Sequence, residues 1–217
     1  MNYILQYMVF AIAGYFLGSI LFARLWGNVL KKGDITKDTP DGNPGTFNAF
    51  AKGGFWCGTL TVLCDVSKGL VPVFLCLHLV DVNYHNEILM GIVMLSPIIG
   101  HMLPIFYKFK GGKGIAVTFG TLAGYLLDFR PVLLLAITFI VFSVILVIKP
   151  DYYKTMVTFV LAALVSPFVG YRLAVVITYV GAAIIVCIKL LLSSEEKKEF
   201  SLSVFKWKII GGKEAPS

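Results

Sequence analysis

The chain has 217 residues, 58% of them hydrophobic and 14% charged, with a formal net charge of +7. That composition excludes a soluble domain built around one large core and points to a protein embedded in lipid. The excess of Lys and Arg follows membrane topology, so nucleic acid is not expected as a partner.

Apolar stretches long enough to cross a bilayer recur along the whole chain, at residues 3–22, 55–80, 87–106, 115–128, 131–148, 155–170 and 173–192. The expected fold class is an all-α polytopic membrane protein with about seven transmembrane helices. The stretches at 115–128 and 155–170 are short for a full span and would have to tilt, shift or re-enter. Residues 1–192 are expected to form a single transmembrane domain, with cytosolic loops at 24–54 and 107–114, and 193–217 a cytosolic tail.

The first stretch has no Lys or Arg before Arg24, so it lacks the basic start of a secretory signal peptide and is expected to stay as a helix. Gly18 and Ser19 near its end suit close helix packing. The loop at 24–54 holds Asp34, Lys37, Asp38 and Asp41, then a dense run of turn formers from Pro40 to Asn48. Asn43 and Asn48 offer amide donors and acceptors, and Gly42 and Gly45 allow backbone N–H groups to be presented. Turn residues need no function, but a loop this long in a compact membrane protein is often a functional one.

On the second stretch Asp65 and Lys68 lie three apart, on one helix face, and can pair. An ionisable residue deep in a bilayer costs about 2.5–3.5 kcal/mol, so both are site candidates unless they lie at the cytosolic end as a structural pair. His78 and His85 read as surface or packing residues. His101 differs, since it precedes Lys108, Lys110 and Lys113, which surround Gly111, Gly112 and Gly114. Glycines there let successive N–H groups approach a ligand, and the helix that follows aims its positive end at the same place. This pattern suits an anion, most simply phosphate; a basic loop meeting only lipid headgroups is the other reading. It is not a P-loop, because Gly114 and Ile115 follow Lys113 where that motif needs Ser or Thr. Beside such a loop His101 could donate to an oxyanion or shuttle a proton, although a lone histidine is more often a satisfied structural residue.

Beyond Ile115 the stretches are joined by short loops, with outer turns at 128–131 and 170–172 and an inner one at 149–154 carrying interfacial tyrosines. The tail alternates basic and aromatic residues and is expected to lie on the inner membrane face. Cys57, Cys64, Cys76 and Cys187 fall in apolar segments without metal-ligand spacing, so neither metal nor cofactor is expected. The distribution of Lys and Arg places the N-terminus outside and the C-terminus and the glycine-lysine loop in the cytosol.

Three blocks carry a family resemblance: Asp41-Gly-Asn-Pro-Gly-Thr-Phe-Asn48, Asp65-Val-Ser-Lys-Gly-Leu-Val-Pro72, and Gly100-His101 through Gly111-Gly-Lys-Gly-Ile-Ala116. In order and spacing they resemble the bacterial integral-membrane glycerol-3-phosphate acyltransferases that use acyl phosphate, over roughly the first 120 residues. The resemblance implies a multi-pass enzyme of the bacterial cell membrane, needing no metal. It would move an acyl chain from acyl phosphate to glycerol 3-phosphate at the cytosolic side. Lys113 and the backbone of Gly111, Gly112 and Gly114 would then bind phosphate with Lys110 nearby. Gly42, Asn43 and Gly45 would contact substrate or order the loop, and Asn48, Asp65, Lys68 and His101 would complete the site.

Departures from the family pattern point at the acceptor. Asp41 stands where the family has serine, Ala51 where it has arginine, and the family's histidine and asparagine near the last helix have no counterpart. A changed hydroxyl acceptor, with Asp41 as its general base, is one expectation. A silent relative that binds lipid phosphates is another, and a small-anion transporter a third, less suited because no internal repeat is visible.

Overall fold

The computed structural model describes residues 2–37, 39, 42–80, 86–126, 128–192, 199–204 and 207–210. Asp38, Asp41, His85 and most of the tail lie outside these.

Helix α1 (Tyr3–Gly18) is capped by Asn2, whose side chain accepts from the Ile4 N–H. It was expected to reach residue 22, but it stops at Ser19, whose N–H and hydroxyl both turn back to the Tyr15 carbonyl. The chain bends by 43° and resumes as α2 (Phe22–Val29). The break exposes the Ile20 carbonyl, and Lys68 Nζ donates to it at 2.6 Å, which is where the freed acceptor is satisfied.

Helix α3 (Thr46–Leu79) is interrupted at Gly54, whose φ of +81° suits glycine alone, so a short helix precedes the long apolar one. Helix α4 (Glu87–Met102) follows, capped by Asn86. A 3₁₀ turn at Ile105–Tyr107 and the glycine-lysine loop lead into α5 (Ile115–Gly124). Helix α6 (Arg130–Ile140) ends in a π turn at Val141–Ile145, and α7 (Asp151–Val165) and α8 (Leu173–Leu192) complete the bundle.

The sheet is a correction to the all-α expectation. Residues 146–148, read as the end of a span, belong to strand β1 (Leu146–Lys149), which pairs antiparallel with β2 (Ser201–Val204), and β2 with β3 (Trp207–Ile210). Leu146 faces Val204 and Lys149 faces Ser201. Two local causes act together: the β-branched Val147 and Ile148 favour strand, and Pro150 pushes Lys149 out of helical geometry.

Helix α4 is the central element, contacting α1, α3, α5 and α8. Small residues set these distances: a Cβ on Gly18 would lie 2.3 Å from the Pro97 carbonyl oxygen, and one on Gly120 would lie 2.0 Å from that of Val66. The core gathers Met94, Ile98, Met102, Val117, Tyr125, Phe159 and Tyr179. At the end of α4 away from the glycine loop, Glu87 accepts from Arg172 Nε at 2.8 Å and from the Ala174 N–H at 3.1 Å, tying α4 to α8.

Outward-facing Leu5, Ile12, Leu63, Ile92, Ile137 and Ile184 give the bundle an apolar exterior suited to lipid. Among the described residues, Thr46–Leu79 and Glu87–Tyr107 are long and apolar enough to cross a membrane, and the bent α1–α2 pair makes a third.

Candidate functional site

A cavity of about 460 Å³ opens where α3 begins, α4 ends and α5 begins, closed by α6 and the start of α7. Its polar lining includes Asn43, Asp65, His101, Lys113, Asp151 and Lys154, and its apolar lining Val62, Val66, Ile115, Phe119 and Phe139. Gly45 and Thr46 at the N-terminus of α3, and Gly114 and Ile115 at that of α5, reach the same space. Both helix starts therefore direct their positive ends into one cavity.

Behind the polar wall lies a buried chain of charged groups. Lys68 Nζ forms a 2.8 Å ion pair with Asp65 Oδ1, lies 2.9 Å from His101 Nδ1 and donates to the Ile20 carbonyl. An ammonium can only donate, so Nδ1 accepts and the imidazole proton sits on Nε2. His101 is thereby set up to donate from Nε2. The ring is buried and locked by Lys68, and the loop is built on it: the Gly112 N–H donates to the His101 carbonyl at 3.1 Å.

The loop's glycines are required by that contact. A Cβ on Gly112 would lie 2.1 Å from His101 Nε2, and one on Gly111 would lie 1.9 Å from the His101 carbonyl oxygen. Gly114 has φ +78° and turns the chain into α5. Gly112→Ala is expected to destabilise the protein by about 1–3 kcal/mol, because His101 has no room to retreat. The measurement is the thermal midpoint in detergent, and an unchanged midpoint would show that the loop lifts away freely.

The loop expected at 24–54 instead carries α2 at its start and the first short helix of α3 at its end, and hydrogen bonds at Asp34 and Asn48 hold the connection between them. Thr36 donates to Asp34 Oδ1 through its N–H (3.0 Å) and hydroxyl (2.7 Å), which holds the Asp34 carboxyl below its ordinary range. Asn48, buried, donates through Nδ2 to the Asn43 carbonyl at 2.8 Å and so fixes the entry into α3.

Of the residues singled out from sequence, Asn43, Gly45, Asp65, His101, Lys113 and Gly114 line the cavity. Asn48, Lys68, Gly111 and Gly112 stand behind the lining as supports. Gly42 and Lys110 are exposed and outside the lining, as are Ala51 and Lys52, and Asp41 lies outside the described residues. Lys154, Asp151, Thr155 and Ser143 of the cavity were not anticipated. Asp151 and Lys154 form an ion pair of 2.7 Å at a spacing of three, the same pattern that drew attention to Asp65 and Lys68. The sequence does not reveal it as a helical pair, because 149–154 reads as a turn between spans.

A family model described as glycerol-3-phosphate acyltransferase matches residues 8–196. The chain is 39% identical over 116 residues to the glycerol-3-phosphate acyltransferase of Photobacterium profundum, covering 54% of this chain and 55% of that protein. It is 39% identical over 118 residues to that of Pelagibacter ubique, covering 54% and 58%. The chain thus spans about half the length of the curated relatives it matches. Two crystal structures of PlsY (YgiH), an integral membrane glycerol 3-phosphate acyltransferase, have the same fold. The lysophosphatidic acid form has a TM-score of 0.68 at 23% identity and the glycerol 3-phosphate form 0.70 at 22%, each covering 84% of this chain and 87% of the other.

Proposed function

Since the chain belongs to the glycerol-3-phosphate acyltransferase family, we propose that it transfers a fatty acyl group from acyl phosphate to the hydroxyl of glycerol 3-phosphate, in phospholipid synthesis. The observation that carries this reading is the cavity itself: two helix N-termini, Lys113 and Lys154 share it with an apolar wall. Two phosphates and an acyl chain would complement that pattern of positive charge and apolar wall.

The reaction asks little covalent chemistry of the protein. The acceptor hydroxyl attacks the acyl carbon, the carbon–oxygen bond to phosphate breaks, and the leaving phosphate takes up the hydroxyl proton as it departs as inorganic phosphate. The protein has to hold two anions close together, exclude water and stabilise the charge that gathers on oxygen. Lys113 and the start of α5 suit the donor phosphate, and a proton on His101 Nε2 suits an oxyanion. Val62, Val66, Phe119 and Phe139 suit the acyl chain. Asp65 and Lys68 hold His101 in its donating tautomer.

The acceptor phosphate needs a cation that the departure at Ala51 removes from α3. Lys154 supplies one from α7. Its partner Asp151 has a side chain 62% exposed, so their ion pair is weak and a ligand phosphate can compete for the lysine. Lys154→Ala is expected to raise the KM for glycerol 3-phosphate about tenfold and change that for acyl phosphate less than about twofold. Steady-state kinetics with each substrate varied checks this; an unchanged KM for glycerol 3-phosphate would remove Lys154 from the site.

The concentration of Lys and Arg on one side supports a cytosolic site, with the N-terminus outside and about seven crossings in one domain of residues 1–192. Acyl transfer by the purified protein tests the function. Replacing glycerol 3-phosphate by glycerol tests whether a phosphate on the acceptor is required.

A further inference from the structure

Lys189 stands on the last turns of α8, outside the cavity lining, and serves the glycine loop from behind. Its Nζ donates to the carbonyl oxygens of Met102 at 2.9 Å and Gly112 at 2.7 Å, and to that of Gly111. Met102 ends α4, where carbonyls lack helical partners. The two glycine carbonyls belong to the segment that faces the cavity as Lys113 and Gly114. One ammonium therefore joins the last helix, the end of α4 and the loop.

We propose that Lys189 is a positioning residue for the acyl-phosphate site: by gathering the Gly111 and Gly112 carbonyls it fixes the loop in its anion-binding conformation. This rests on the reading of the cavity as an acyl-phosphate site. In a trans peptide the C=O and the following N–H point opposite ways. The Gly111 carbonyl turns to Lys189, and the Gly112 N–H accordingly points away, to the His101 carbonyl. The Gly112 carbonyl also turns to Lys189, so the Lys113 N–H faces the other way. Without the clamp, Gly111, Gly112 and Gly114 leave this segment free to rotate its carbonyls toward an incoming phosphate, where they would repel it. With it, the ordering is complete before the ligand arrives.

The test uses the full chain in detergent or lipid bicelles, with palmitoyl phosphate as donor and a palmitoyl phosphonate as a non-transferring probe. Lys189→Met is expected to raise both the KM for palmitoyl phosphate and the Kd of the phosphonate about tenfold, with the KM for glycerol 3-phosphate moved less than about twofold. Lys189→Arg, which can reach the same carbonyls with a charged group, is expected to restore both to within about threefold. Lys189→Gln keeps donors without charge and gives an intermediate Kd, which keeps the question decidable if the Met variant does not fold. An unchanged KM and Kd in the Met or Gln variant, an equal loss for both substrates, or no rescue by Arg would overturn the proposal. If the unaltered protein binds the phosphonate without acylating glycerol 3-phosphate, the reaction is wrong but the Kd series still decides the role of Lys189. If it binds no phosphonate, both fall.

Discussion

Lys68→Met is expected to destabilise the protein by about 3–5 kcal/mol, because it strands the Asp65 carboxylate in the bundle interior without its cation. Asp65 is 1% exposed, and its ion pair with Lys68 at 2.8 Å is what offsets its burial. The same substitution removes the donor that holds the imidazole and leaves the Ile20 carbonyl unsatisfied at the break between α1 and α2. The thermal midpoint in detergent should fall sharply, and adding Asp65→Asn should recover part of the loss by removing the stranded charge. A double variant no more stable than Lys68→Met alone would show that the carboxylate is not what the lysine neutralises.

Lys113→Ala is expected to lower kcat/KM for acyl transfer by about 100–1,000-fold while leaving the thermal midpoint nearly unchanged. Lys113 lines the cavity at the start of α5, and the bundle's core does not pass through it. On the proposed reading, what is lost is a cavity cation beside the donor phosphate. Loss of activity together with a large fall in the midpoint would instead make Lys113 a structural residue. Taken together, the two substitutions separate the group that holds the site from the group that acts in it.

The parts of the site visible in sequence are those whose geometry is local. Gly111, Gly112, Lys113 and Gly114 are consecutive, so a loop opening a helix can be read from them directly. Asp65 and Lys68 declare their pairing by spacing along one helix. The link from Lys68 to His101 spans 33 residues, and the clamp from Lys189 to Gly112 spans 77, so both depend on how helices pack. Lys189 read only as a basic residue at the inner end of a span, and Lys154 only as part of a turn.

The fold shows the same division. Residues 173–192 read as a helix in sequence and form α8, since a long apolar run broken only near its end by Lys189 suffices. The short helix α2 is hidden in the sequence because Phe22 continues the apolar run of α1, and the carbonyl freed at the break is satisfied by a lysine on another helix. Strand β1 stayed hidden because its partner, residues 201–204, lies 52 or more positions away in the tail. Sequence patterns name the apolar segment there, whereas long-range pairing decides that it is a strand.

The most direct measurement is the product balance of the purified protein given palmitoyl phosphate and glycerol 3-phosphate. The expected result is lysophosphatidic acid and inorganic phosphate in equal amounts, dependent on glycerol 3-phosphate and lost in Lys113→Ala. Phosphate release without lysophosphatidic acid, or no consumption of palmitoyl phosphate by protein that is folded and binds the phosphonate probe, would contradict the assignment.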